Sequence, residues 1–353
     1  MYSPFEKIKV EIYGESHSEV IGVKISGIEK GFKIDLDKLQ EFTDRRKSGK
    51  NAWSTPRKEA DVAEFVSGVC DGVTTGETIE AVVRNANVRS SDYNEIKYTP
   101  RPSHADYVCA VKDGTMECPS GGGRFSGRMT APLVIAGGIA KQILARRGIR
   151  VLSYIRTIGG VTGENYLTTQ VTEERISAIE TPLKALTRAD KMERAVMEAK
   201  ENLDSVGGTV DIMIFGMPVG IGDNLFQGLE GRIASAVYGV PAVKGVEFGL
   251  GFGFADAKAS EVNDLFTFSD GKVVTVTNNS GGINGGISNG MPITLSVAFR
   301  PTPSIARPQK TVNLRTGENV EITIKGRHDA CIVPRGAVAL EAAVALAVLD
   351  AII

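Results

Sequence analysis

The sequence predicts a mixed fold of large sheets covered by helices, in the α/β or α+β class. Three observations support this prediction. Segments that alternate between apolar and polar residues, or are rich in β-branched residues, recur along the chain; helical patterns lie between them; and glycine clusters mark the turns. The 353 residues fit one large domain or two intimate ones, and a hydrophobic content of 42% allows a sizeable core.

Seven segments are predicted to be strands because their side chains alternate or are β-branched. They are 8–12, 63–69, 78–83, 151–158, 209–215, 293–299 and 320–324.

Three helical patterns lie between these strands. They run from a cap at Asp35 or Asp37 to Arg46, from Met129 to Arg147, and from Glu173 to Leu203. Pro132 is tolerated in the first turn of the second helix, whereas Pro182 is expected to break the third.

The apolar C-terminal tract, 337–353, is predicted to form a buried helix or a subunit contact. It is shorter than a bilayer requires and contains Glu341 and Asp350. The first residues carry alternating charges and lack the apolar stretch of a signal peptide. We therefore expect no membrane association.

An internal echo predicts two related halves. The segment 72–79 resembles 286–293, and both lead into predicted strands. A His-Asp segment follows each of them, at His104 and at His328, and then an arginine-glycine turn and an Ala-rich helix. Repetition in the same order indicates a pseudo-twofold architecture, with a site that receives loops from both halves.

Charge and cysteine content favour a cytoplasmic protein that does not bind nucleic acid. Lys and Arg number 41 against 42 Asp and Glu, so any basic site must be local. The four cysteines have neither CxxC nor zinc-site spacing, which indicates reduced thiols.

The three histidines, His17, His104 and His328, all fall in short polar loops. A lone histidine is usually a surface or capping residue, but here each one has a hydrogen-bonding residue within three positions. Imidazole is suited to proton transfer near neutral pH, so together they predict a proton-transfer site. A metal site ranks lower, because no HxH or HxxxH spacing exists and arginines lie beside two of the histidines.

A glycine-rich string, 121–130, leads directly into the second predicted helix and predicts an anion-binding site. Its glycines allow close backbone approach, the helix start offers free N–H groups, and Arg124 and Arg128 add charge. It is neither a Walker A loop nor a dinucleotide fingerprint.

Further arginines lie in or beside these motifs, and they predict a ligand with several anionic groups. They are Arg45, Arg46, Arg101, Arg327 and Arg335. The glycine-rich segment 279–288 suits either a loop against a flat ligand or a tight hairpin, and the residues alone leave both open.

Taken together, these motifs resemble the chorismate synthase family. The strings GESHS, DRR, RPSHADY, GGGRFSGR, GGINGGISNG and GRHDAC occur in the family's order, from Gly14 to Arg335. The resemblance implies an α+β fold, a β-α-β sandwich of two large sheets and helices with a pseudo-twofold repeat, as a single domain over 1–353. It implies a lyase that converts 5-enolpyruvylshikimate 3-phosphate to chorismate and phosphate, the last step of the shikimate pathway. The reaction is a 1,4-anti elimination that requires reduced FMN.

The resemblance also assigns roles to residues. His17 would protonate the leaving phosphate, His104 would lie near the flavin N1/C2 carbonyl, and Asp329, with Ser16 assisting, would act through the flavin N5. The flavin-binding residues would be Arg124, Phe125, Ser126, Pro241, Ala242, Gly285, Arg300, Pro301, Thr302, Pro303, Ser304 and Arg327. Arg46, Arg101 and Arg128 would bind substrate anions or NADP, and His328 would not be catalytic. Many relatives carry a further arginine where this chain has Lys50, which leaves an NADPH-associated position in question.

The family further implies a homotetramer that takes reduced FMN from an external flavin reductase. One alternative is a bifunctional enzyme that reduces its own flavin with NADPH, although the chain has neither a long insertion nor a dinucleotide fingerprint. Another is a non-catalytic flavin- or phosphate-binding protein, against which intact His17, His104 and Asp329 argue. A zinc hydrolase ranks third.

Overall fold

A computed structural model describes residues 1, 3–49, 59–85, 97–324 and 329–353. Its strands are β1 Lys9–Tyr13, β2 Val20–Ser26, β3 Glu64–Ser67, β4 Val69–Cys70, β5 Val73–Thr74, β6 Ile79–Arg84, β7 Arg150–Ile158, β8 Val161–Thr162, β9 Gly208–Phe215, β10 Val243–Phe248, β11 Phe266–Ser269, β12 Lys272–Thr275, β13 Ile283–Asn284, β14 Ile287–Ser288, β15 Ile293–Phe299, β16 Gln309–Val312 and β17 Asn319–Ile322. Its helices are α1 Leu36–Arg46, α2 Asp106–Lys112, α3 Thr130–Arg146, α4 Glu173–Ser177, α5 Ala189–Glu201, α6 Leu229–Tyr238, α7 Ala259–Val262 and α8 Val333–Ile352.

Two antiparallel sheets enclose a layer of helices, so the predicted β-α-β sandwich is confirmed. Within the described residues, the first sheet has the strand order β1-β2-β6-β3 and the second has the order β10-β15-β9-β7-β8. Helix α3 packs on β2 and β6, whereas α8 packs on β7 and β9, and the two helices lie against each other.

The two halves repeat one topology, as the internal echo predicts. With the smaller inserted elements left out, the first half runs β1, β2, α1, β3, β6, α3, and the second runs β7, β9, α6, β10, β15, α8. The first sheet has the order β1-β2-β6-β3, and the second contains β7-β9-β15-β10, which is the same arrangement. The echoing segments lead into β6 and β15, which are equivalent strands.

The C-terminal tract forms a central helix of the core. Nearly every residue of α8 is buried, because α3, α6 and the second sheet surround it. Such a helix can be apolar on all sides. Its buried Glu341 accepts hydrogen bonds from Arg45 (Nη2, 2.6 Å) and from Ser153 (Oγ, 2.6 Å), and it also pairs with Lys141. In the part of the chain that the structure describes, no helix is both long and apolar enough to cross a membrane.

Most predicted elements lie within a few residues of the observed ones. Asp35 caps α1, since its carboxylate accepts a hydrogen bond from the Lys38 backbone N–H at 3.0 Å. The third helical pattern is interrupted around Pro182 and forms α4 and α5. The last predicted strand, β17, pairs with β16 in a separate two-stranded ribbon outside the large sheets.

Candidate active site

Two of the three histidines meet at one glycine turn. His17 lies in the loop between β1 and β2, and His104 precedes α2. Gly121 and Gly122 have φ angles of +58° and +88°, which favour glycine. A Cβ atom on Gly121 would lie 2.0 Å from His17 Cε1, and one on Gly122 would lie 3.2 Å from His104 Cε1. The absence of side chains at consecutive positions therefore lets both imidazoles pack against the same short turn.

The ring of His17 is oriented by its neighbour. Ser16 Oγ lies 2.9 Å from His17 Nδ1, and the Ser16 side chain is buried. The Ser16 backbone N–H donates to the carbonyl of Gly123 at 3.3 Å, which ties this loop to the glycine turn. Ser16 therefore fixes the orientation of the imidazole through Nδ1.

His104 belongs to a buried charged group with Arg101 and Asp106. His104 Nδ1 lies 2.7 Å from Asp106 Oδ1, and Arg101 donates to both Asp106 oxygens, from Nε at 2.7 Å and from Nη2 at 2.8 Å. Burial alone would raise the pKa of Asp106, but the hydrogen bonds from Arg101 and His104 outweigh it and lower that pKa. Asp106 is therefore an anion at neutral pH.

Two of the predicted substrate arginines converge on one carboxylate, that of Asp61. Arg46 donates from Nη1 to Asp61 Oδ2 at 2.8 Å, and Arg128 Nη1 pairs with Asp61 Oδ1. Burial, and then the charge of Arg335, lower the pKa of Arg46 to about 9. Asn85 links this group to the His17 loop, since its Oδ1 accepts from Arg128 Nε at 2.9 Å and its Nδ2 donates to the carbonyl of Ser18 at 2.7 Å.

Asp329 joins the same charged cluster through Arg335. Arg335 Nη1 donates to Asp329 Oδ2, and Arg335 Nε donates to the backbone carbonyl of Arg46 at 3.0 Å. Glu59 pairs with Arg128 at 2.8 Å. Among the described residues, the cluster thus contains three arginines and three carboxylates.

The predicted flavin loop presents an aromatic ring and a cation. Arg124 donates from Nη2 to Asp113 at 2.7 Å, and its guanidinium carbon lies 5.0 Å from the centre of the Phe125 ring. Phe125 is 39% exposed, so part of its side chain is accessible to solvent. Ser126 accepts a hydrogen bond from the Arg128 backbone N–H at 3.3 Å, which begins the helical turn beyond it.

The segment 300–304 of the second half lies beside His104. Arg300 Nη1 donates to the carbonyl of Ser103 at 2.6 Å, and the Arg300 backbone N–H donates to the carbonyl of Ala242 at 3.0 Å. Arg101 Nη1 lies 3.3 Å from Ser304 Oγ. The structure therefore brings together Pro241, Ala242 and the run from Arg300 to Ser304, all predicted to bind flavin, near the His104 loop.

Gly285 lies away from this group. It forms the turn between β13 and β14, and the adjacent Gly286 packs on Asp223 and Gly228. This hairpin precedes Ile293, the first residue of β15, whereas Arg300 follows the last. A seven-residue strand is roughly 20 Å long, so the two predicted flavin contacts lie near opposite ends of β15 within one chain. Arg327, His328 and Lys50 lie outside the described residues.

Two further observations bear on metal and thiol chemistry. Within the described ranges, no three His, Cys, Asp or Glu side chains are grouped in a way that could hold a metal ion. All four cysteines are free thiols, and burial raises the pKa of Cys331 to about 12.

The carboxylates that pair with the arginines of the site were not predicted from the sequence. Asp61, Asp106 and Asp113 each pair with an arginine of the site. Asp106 could have been found from its spacing, two residues after His104. The sequence around Asp61 contains no such indication, because its partners Arg46 and Arg128 lie on other elements and meet it only in the folded chain.

The fold and the site are those of an enzyme, with imidazoles gathered at one glycine turn and arginines beside it in a two-sheet sandwich. Comparisons with known proteins specify the class further. The family model described as chorismate synthase matches residues 8–353. The chorismate synthase of Thermococcus gammatolerans is 44% identical over 342 residues, which are 96% of this chain and 94% of that protein. The chorismate synthase of Methanocaldococcus jannaschii is 44% identical over 360 residues, covering 99% of this chain and 95% of that protein.

A solved structure agrees with these matches. A crystal structure of chorismate synthase superposes with a TM-score of 0.75 at 26% identity, covering 98% of this chain and 92% of that one. The chain belongs to the chorismate synthase family, and it is a lyase.

Proposed function

We propose that this chain converts 5-enolpyruvylshikimate 3-phosphate to chorismate and phosphate by 1,4-anti elimination. The C–O bond to phosphate breaks, a ring C–H bond breaks, and a new ring double bond forms, so substrate and products are at the same oxidation level. The observation that carries the proposal is the packing of His17 and His104 against consecutive glycines of one turn. That turn leads into the cluster of Arg46, Asp61 and Arg128.

Reduced FMN is the proposed cofactor, and when bound it would lend electron density to the substrate while phosphate leaves. The residues fit such a group. Phe125 offers a partly exposed aromatic side chain to a flat ring system, and Arg124 adds positive charge beside it. Backbone and side chains of 300–304 lie on the His104 side of the same region.

The protein groups then have separate tasks. His17, oriented by Ser16, would donate a proton to the departing phosphate. His104, held by Asp106, would lie beside the flavin, and Asp329, held by Arg335, would act as the acceptor of a proton. Asp329 is only 8% exposed, so its carboxylate lies away from bulk water.

The substrate carries a phosphate and two carboxylates, and we assign these to the arginines. Arg128 is the best placed, because its Nη2 is buried and has no hydrogen-bond partner among the described residues. Arg46 and Arg101 contribute positive charge while their carboxylate partners hold them in place.

The proposed setting is a cytoplasmic homotetramer supplied with reduced FMN by a separate flavin reductase. The tetramer is supported by large apolar side chains that a single chain leaves exposed. Phe226, Phe252 and Phe268 are 95%, 83% and 80% exposed. Burying such rings against another subunit is favourable.

An anaerobic assay tests the proposal. The substrate is incubated with chemically reduced FMN, and separately with oxidised FMN plus NADPH, and chorismate and phosphate are measured. We expect product only with reduced flavin. Product in the NADPH arm would indicate an intrinsic reductase, and flavin binding without product in either arm would support a non-catalytic protein.

Two variants test the assigned roles. His17→Ala and Asp329→Ala should each lose most turnover while still binding flavin and substrate. Near-normal turnover of either variant would show that its role is wrong.

A further inference from the structure

We propose that Asp106 is a positioning residue that holds His104 as the Nδ1–H tautomer and leaves Nε2 free at the glycine turn. This inference deepens the proposed function, since it rests on the role of His104 beside the flavin. Asp106 is hydrogen-bonded to His104 and to Arg101, which is assigned to a substrate anion. It acts through the imidazole.

The contacts around His104 Nδ1 decide the tautomer. Nδ1 lies 2.7 Å from Asp106 Oδ1 and 3.1 Å from Arg101 Nη2. An arginine cannot accept a hydrogen bond, and an ionised carboxylate cannot donate one. Arg101 Nη2 also donates to Oδ1 at 2.8 Å, so the shared oxygen explains why Nδ1 and Nη2 are close. The arrangement is satisfied when His104 carries its proton on Nδ1 and donates it to Asp106.

Asp106 is held rigidly enough to orient the ring. Its side chain is fully buried at the start of α2. Its second oxygen accepts the backbone N–H of Arg101 at 3.0 Å and Arg101 Nε at 2.7 Å. Arg101 is in turn fixed by Ser304 at 3.3 Å. The carboxylate therefore has little freedom to release the imidazole.

The consequence is a defined direction for the other ring nitrogen. A Cβ atom on Gly122 would lie 3.4 Å from His104 Nε2, so this nitrogen lies along the glycine turn. With Nδ1 protonated, Nε2 presents a lone pair there in the neutral ring, and a second N–H once the ring is protonated. The neutral pair of Arg101 and Asp106 permits either state.

The tautomer can be observed without any assay of activity. The chain has three histidines, so ¹⁵N spectra of the imidazoles are simple, and His104→Gln assigns the His104 signals. At alkaline pH, where the rings are neutral, we expect His104 to show a protonated Nδ1 and an unprotonated Nε2. The opposite tautomer in the unmodified protein would overturn the inference at once.

Asp106→Asn supplies the second test. The amide can donate to Nδ1, so the Nε2–H tautomer should grow, and turnover at saturating substrate should fall by about 100-fold because the reacting groups are misplaced. Substrate KM should rise as well, because Asp106 also holds Arg101. Asp113→Asn is the matched control, since it removes a carboxylate seven positions along that pairs with Arg124, and it should leave the His104 signals unchanged. A loss of turnover in Asp106→Asn with an unchanged His104 tautomer would refute positioning.

Two further variants separate the possible failures. Arg101→Lys keeps the carboxylate and should keep the Nδ1–H tautomer even if Asp106→Asn does not fold; loss of the tautomer there would contradict the assignment to Asp106. In a His104→Ala background, Asp106→Asn should reduce turnover at saturating substrate no further, although KM should still rise through Arg101. If His104→Ala alone keeps full turnover, the proposed role of His104 fails, while the spectra still decide whether Asp106 positions the ring.

Discussion

Replacing Gly121 by alanine would displace His17 while leaving every catalytic side chain in the protein. The new Cβ would lie 2.0 Å from His17 Cε1, whereas carbon atoms in contact are about 3.5–4.0 Å apart. The ring must therefore move by about 1.5 Å or the turn must open. The φ angle of +58° adds a backbone cost of about 1–2 kcal/mol for a residue with a Cβ atom.

A shift of this size should be visible in both activity and stability. A misplacement of about 1 Å can lower turnover by about 100-fold, which corresponds to about 2.7 kcal/mol of activation free energy. The free energy of unfolding should fall by about 1–2 kcal/mol through the backbone strain alone. The anaerobic assay with reduced FMN measures the first quantity, and urea titration measures the second.

Gly127→Ala is the matched control in the same loop. A Cβ atom there would meet no atom within 4 Å, and Gly127 does not have a positive φ angle. Its turnover and stability should therefore stay close to those of the unmodified protein. If Gly121→Ala were as active as Gly127→Ala, the contact between the glycine turn and His17 would not be needed for catalysis. The proposed placing of His17 in the active site would then be wrong.

Three further predictions concern the charged cluster, a buried carboxyl and the helix contact. Arg335→Met should lower turnover by roughly 100-fold by releasing Asp329, and Arg335→Lys by less; a stability loss with unchanged turnover would contradict this. Burial raises the pKa of Asp211 from an ordinary 3.8 to about 6. The folded protein therefore binds this proton more tightly than the unfolded chain does, and the free energy of unfolding should fall by about 3 kcal/mol as pH rises from about 4 to about 6. Asp211→Asn should abolish that loss in urea titrations. Gly137→Ala places a Cβ atom 2.2 Å from a side chain of α8 and should cost about 1–3 kcal/mol of stability, whereas Gly231→Ala, in open space, should gain up to about 1 kcal/mol in the same titrations.

The large elements were predictable because local patterns decide them. The strand at 293–299 alternates and is β-branched, and its observed bounds are the predicted ones. Asp35 caps its helix through a hydrogen bond to the backbone N–H of Lys38. The ribbon of β16 and β17 shows the limit, since a strand was predicted at 320–324 and observed at Asn319–Ile322, but its partner strand was not predicted.

The site was predictable where one loop carries the chemistry and not where distant segments meet. The His17 and His104 loops and the glycine string could be recognised as short motifs. The pairing of Arg128 with Asp61, 67 residues earlier, depends on how α1, α3 and the first sheet pack. Nothing in the local sequence indicates that both carboxylate oxygens of Asp106 accept hydrogen bonds from Arg101. These bonds depend on the conformation of the turn before α2.

The buried ion pairs around Asp61 restrict how this protein can change over time. Losing one partner of such a pair leaves an uncompensated charge in the interior, which costs about 3–5 kcal/mol and is a large part of a typical protein's stability. Losing both partners of a pair together removes both charges. Positions 46, 61, 128 and 335 should therefore change in opposite-charge pairs among descendants of this chain. Single substitutions at these positions should be rare, because each one alone destabilises the protein.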